Sequence, residues 1–137
     1  MSETQSTNQW YKVDAQGKIL GRMAVRVARV LMGKHRPTYQ PDRLCGDGVI
    51  IVNSDKVAVT GRKLKQKIYT SYSGYPGGLK KRPLEVQMAK DSEVVIRHAV
   101  AGMLPKSRLG SRMLKHLHVY RGAEHPSKIK DIQVLEV

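Results

Sequence analysis

The sequence predicts a layered α/β domain, and three observations carry that expectation. Residues 20–33 repeat apolar side chains at helical spacing. Gly48–Val52 (GVIIV) is an unbroken apolar run with β-branched residues. Further strand-like and helix-like segments of ordinary length are mixed along the rest of the chain.

Residues 10–13 read as a first strand and 14–17 as a turn. Helix 20–33 follows. Leu20, Met23, Ala24, Val27 and Leu31 fall on one stripe, and Arg22, Arg26 and Arg29 gather on the opposite side. Gly33 stops it and Pro37 confirms the break. The run at 48–52 suits a strand buried on both faces, as in a parallel sheet. Residues 56–60 alternate and read as another strand, closed by Gly61. Residues 67–72 form a third extended segment, leading into a glycine-rich stretch at 73–78. Pro83 suits the first position of a short helix ending near Lys90. Asp91 or Ser92 caps a helix over 93–104, stopped by Pro105. A short helix over 109–117 sets Leu109, Met113 and Leu117 against Arg108, Arg112 and Lys115. Residues 119–120 and 133–137 are weaker strand candidates.

At 137 residues the chain suits one domain over 10–137. The 40% apolar fraction supplies a core of aliphatics, because Phe is absent and there is one Trp. Residues 1–9 are polar, lack the layout of a signal peptide and fit a disordered tail. No apolar run approaches the roughly 20 residues of a spanning helix. Cys45 is alone, which excludes an intramolecular disulfide and a cysteine-based zinc site and favours the cytosol.

Charge carries the functional signal. The formal net charge is +14, and nineteen of the 25 lysines and arginines sit in three blocks without an acid. Residues 15–41 hold Lys18, Arg22, Arg26, Arg29, Lys34 and Arg36. Residues 60–82 hold Arg62, Lys63, Lys65, Lys67, Lys80, Lys81 and Arg82. Residues 94–123 hold Arg97, Lys106, Arg108, Arg112, Lys115 and Arg121. Segregated positive charge stores self-repulsion, which a polyanion relieves. The bland reading is a solvated helix face, but such faces use acids at i±4, and these lack them. Nucleic acid held through many phosphates is therefore the expectation.

A basic extension at about 62–82 adds to it. Residues 67–82 interleave Tyr69, Tyr72 and Tyr75 with Gly74, Gly77 and Gly78 and four cations. Tyrosines suit stacking on exposed bases, and glycines let backbone approach phosphate or sugar. The bland reading is a flexible hairpin tip with one or two tyrosines packed inward. The spacing is not a P-loop, since Gly78 is followed by Leu79. Catalysis has no foothold. The acids are scattered singly, and Asp47 reads as a turn residue before the buried strand. His116 and His118 lack a third metal ligand, and a lone Cys45 is more often a small buried group. No cofactor, metal or small-molecule substrate is expected.

Specific strings then narrow the reading. WYKVDAQGKILGRMAVRVARVLMGKH (10–35), GDGVIIVNSDKVAVTGRK (46–63), YSGYPGGLK (72–80) and AVAGMLPKSRLGSRMLKHLHVYRGAEHP (99–126) stand in order. With them the chain resembles the bacterial family of large-subunit ribosomal protein thirteen, from Trp10 to about Pro126. It departs at Tyr72, where many members carry His, and after Pro126. The resemblance implies a three-layer α/β/α fold with a small, largely parallel sheet. It implies a structural constituent of the large ribosomal subunit in the cytoplasm that binds large-subunit ribosomal RNA during early assembly, beside neighbouring large-subunit proteins. The RNA-binding set takes the cations of the blocks except Lys65 and Arg97, and adds His35, Tyr69, Tyr72, Ser73, Gly74, Gly77 and Gly78. The rival readings are a nucleic-acid-modifying enzyme, which would need an acid, base or metal cluster, and a free regulatory protein acting on a messenger or structured RNA.

Overall fold

Four short strands lie side by side in the order β5-β2-β1-β6, and every pair is parallel. The computed structural model describes residues 8–137. Its strands are β1 (Trp10–Asp14), β2 (Gly48–Val52), β3 (Ile68–Tyr72), β4 (Leu79–Pro83), β5 (Leu117–Val119) and β6 (Ile132–Val134). Its helices are α1 (Leu20–Met32), α2 (Lys63–Gln66), α3 (Leu84–Lys90), α4 (Ser92–Met103) and α5 (Arg108–Leu114). β3 and β4 form a separate antiparallel hairpin. The fold is α/β, a small parallel sheet flanked by helices, in line with the three-layer arrangement that the resemblance implies. Most of the tail expected at 1–9 lies outside the described residues. Gln9 is already held, because its carbonyl accepts from Gly48 N–H at 3.0 Å.

β2 is buried along its whole length, because β1 and β5 flank it and both its faces are covered. Val13, Val49, Ile51, Leu117 and Val119 of the sheet join Met23, Val27 and Leu31 of α1 and Val95, Ile96 and Val100 of α4 in one core. α1 packs on α4, and α5 packs on both. Trp10 lies on the opposite face, stacked on His118 with ring centroids 5.4 Å apart. Its ring passes directly over Gly48, where a Cβ would come within 2.4 Å of it. α1 ends as the sequence predicts. Gly33 takes φ 82°, and its N–H returns to the carbonyls of Arg29 and Val30. Asp91 caps α4, its carboxylate accepting from Glu93 N–H at 3.2 Å.

The structure corrects several element assignments. Residues 56–60 are not a strand. A single 3-10 turn covers Ser54–Lys56, and the chain then makes one bridge, Ile19 to Ala58. The alternation is real, since Val57 is buried and Val59 packs on the core. The backbone instead serves α1, whose Leu20 N–H donates to Ala58 O at 2.9 Å. The last helix stops at Leu114. Leu117 stays buried as expected, but on β5, because His116 O accepts from Val49 N–H and the open edge of β2 captures the chain. Pro83 ends β4 and stands just before α3, one place earlier than expected. α2 and β4 are not among the elements that the sequence pattern predicts. β6 places the chain beyond Pro126 on the free edge of β1.

Candidate nucleic-acid interface

The helices sort their residues as the pattern requires. On α1, Arg22, Arg26 and Arg29 are exposed while Leu20, Met23, Ala24, Val27 and Leu31 are buried. On and beside α5, Lys106, Arg108, Arg112 and Lys115 are exposed, and Met113 is buried. Ser107 caps α5 by accepting from Gly110 N–H at 3.4 Å. Gly110 itself allows a tight approach, since a Cβ there would sit 1.9 Å from Pro105 O. Because α5 leans on α1, the two basic helices adjoin.

The hairpin carries the third cationic surface. Cross-strand register sets Tyr69 opposite Arg82, Thr70 opposite Lys81 and Ser71 opposite Lys80. Alternation therefore puts Tyr69, Ser71, Lys80 and Arg82 on one face, and Thr70 and Lys81 on the other. The turn is closed by Ser73 N–H to Gly78 O and Gly78 N–H to Tyr75 O. Gly74 and Gly77 take φ 85° and 74°, a conformation that disfavours a side chain. The basic run that follows the glycine-rich stretch is thus strand, in β4. Arg62 and Lys63 stand at the start of α2, exposed beside the hairpin's base.

The three tyrosines divide. Tyr72 and Tyr75 are 66% and 74% exposed and present open ring faces. Tyr69 packs inward against the core, edge-on to His98 at 5.4 Å, with the Lys67 ammonium 5.4 Å over its ring. Burial holds its phenol above the usual pKa, and its hydroxyl is enclosed with no hydrogen-bond partner among the described residues.

Some residues of the predicted RNA-binding set have internal partners. His35 and Arg36 both bind the buried carboxylate of Asp47, at 2.7 and 2.5 Å. Asp47 is therefore an anchor, more than the turn residue its glycine neighbours suggest. Arg121 pairs with Asp55 at 3.5 Å and donates to Lys90 O at 2.8 Å. Arg82 donates to Gln87 at 3.3 Å. Of the nineteen segregated cations, only Arg36 and Arg121 make ion pairs among the described residues. Lys18 and Lys34 are exposed at the two ends of α1.

Sequence reasoning missed Gly21, Thr60, His98 and Gly102, which line one cleft with Lys63 and Lys67. Two glycines inside predicted helices were the available signal.

The comparisons with known proteins agree with the geometry. The family model described as Ribosomal protein L13 matches residues 8–126, ending where the resemblance to family strings ends. The large ribosomal subunit protein uL13 of Thermus thermophilus is 56% identical over 93% of this chain and 91% of its own length. Its counterpart in Aquifex aeolicus is 57% identical over 93% of this chain and 89% of its own. That of Caldanaerobacter subterraneus is 52% identical over 93% and 90%. On a match of this extent, with the same strings carried on a parallel α/β sheet and two basic helices, the chain belongs to the ribosomal protein L13 family.

Proposed function

We propose that this protein is a structural constituent of the large ribosomal subunit in the cytoplasm, not an enzyme, and that it binds large-subunit ribosomal RNA and supports early subunit assembly. The observation that carries the reading is the free cationic surface. Arg22, Arg26 and Arg29 on α1, Arg108 and Arg112 on α5, and Lys80 and Lys81 on β4 are exposed and not ion-paired within the described chain. Guanidinium forks bind phosphate bidentately, so arginines on rigid helices suit a folded RNA backbone. The major groove of A-form RNA is closed to side chains, so recognition works through backbone, 2′-hydroxyl and unstacked bases. Tyr72 and Tyr75 at the hairpin supply the stacking surface. Neighbouring large-subunit proteins complete the surroundings.

The test is crosslinking in cells followed by location of the crosslinked RNA. Crosslinks concentrated in large-subunit RNA, with the protein sedimenting in large-subunit particles, are the expected result. Crosslinks to scattered messengers, with the protein outside the particles, would overturn it.

A further inference from the structure

Most of the chain's twelve glycines explain themselves. Gly33 has positive φ, and Gly46 and Gly110 are pressed against backbone carbonyls. Gly21 and Gly102 do not. Each lies within a helix, neither has positive φ, and a Cβ at either would meet nothing within 4 Å. Glycine is the poorest helix former after proline, so neither position gains stability from it. Both glycines line the same cleft of about 340 Å³, Gly21 from the first turn of α1 and Gly102 from the last turn of α4. Local rules broken without a structural gain mark functional positions.

The cleft's chemistry names its occupant. Buried Leu20 and Leu84 form the floor, with Val59, Ala99 and Met103 beside them. Exposed Lys63 and Lys67 stand at the rim, with the Thr60 hydroxyl and the His98 ring. No carboxylate lines it. A largely apolar cleft bordered by two bare stretches of helix suits a planar ring, and the two lysines that line it suit a phosphate. Resting on the reading that the protein binds ribosomal RNA, we infer that this cleft receives one unstacked nucleotide of that RNA. Its base lies between Gly21 and Gly102, and its phosphate faces Lys63 and Lys67. The glycines keep the slot open.

The test uses the full chain and large-subunit ribosomal RNA transcribed in vitro. Gly102→Leu and, from the other wall, Gly21→Leu fill the slot without removing a cation. Affinity for the RNA should fall tenfold or more in each, while the melting temperature of the free protein does not fall. Base-modification probing should show one base, protected by the unaltered protein, becoming reactive with both variants. Two variants that fold, bind within twofold and leave the footprint unchanged would overturn the proposal. If Arg26→Glu weakens binding in the same assay, the RNA-binding reading survives that failure. Unchanged RNA protection, with loss of a neighbouring protein from reconstituted subunits, would assign the slot to a protein segment and also overturn it. No saturable binding by the unaltered chain would instead sink the underlying reading itself.

Discussion

The buried carboxylate of Asp47 holds the His35 imidazole at 2.7 Å, joining the segment after α1 to the start of β2. Arg36 takes the other carboxylate oxygen, and Gln9 N–H adds a bond at 3.1 Å. A charge with no solvent exposure is stable here because three donors surround it. Asp47→Ala should lower stability by about 2–3 kcal/mol, since charge-assisted bonds are lost while His35 and Arg36 regain some water. Denaturant titration checks this. A change below about 0.5 kcal/mol would show that the cluster holds nothing together.

Adjacent positions on α1 should separate folding from binding. Val27 is fully buried and Arg26 is exposed. Val27→Asp buries an unpaired charge and should cost about 3 kcal/mol or more. Arg26→Glu should leave the melting temperature nearly unchanged and weaken RNA binding. Melting curves and binding isotherms on both variants decide it; equal loss of stability would contradict the division of faces.

Salt should govern affinity. If about six to ten phosphates are neutralised, affinity falls roughly 10³–10⁵-fold between about 50 and 200 mM salt. Dissociation constants across a salt series give the slope. A flat plot would mean that the cationic faces are not the contact surface.

Exchange on the hairpin should be uneven. Amides of β3 and β4 that face each other in the register should be protected in the free protein, while residues 74–77 at the turn exchange fast. Replacing Lys80, Lys81 and Arg82 together by Gln should weaken RNA binding yet cost about 1 kcal/mol at most, because of the three only Arg82 has a side-chain partner among the described residues. Uniformly fast exchange from 68 to 83 would show that the hairpin forms only on RNA.

His118 makes stability depend on pH. Burial, then the charges of Arg97 and His116, lower its pKa below the ordinary 6.5. The unfolded chain therefore takes up the proton first. This stability is fully present above about pH 6.5 and is lost as pH falls toward the lower folded value. Denaturation at pH 7.5 and 5.5 should show a fall that His118→Gln reduces. An identical pH dependence in the variant would mean that other groups carry it.

Local signals in the chain determined much of this. The stripe Leu20, Met23, Val27, Leu31 against Arg22, Arg26, Arg29 needs only the 3.6-residue period, so the structure reproduces it. GVIIV announces a central strand because β-branched residues without polar alternation fit only a site buried on both faces. Charge segregation marked the cationic surfaces without any coordinates. Tertiary structure decided what depends on residues distant in sequence. Whether 56–60 joins a sheet or serves α1 rests on Ala58 meeting Leu20. Leu117 is strand and not helix because β2 offers an open edge. His35 and Arg36 look like any exposed cations until Asp47 closes on them from the other side of a loop. Strand alternation turns Tyr69 and Tyr72 to opposite faces, but which of the two is covered is decided when α4 brings His98 to Tyr69. The sequence carries periodicity and composition, which are local. Which partner satisfies a backbone edge or a buried charge is settled only when distant segments meet.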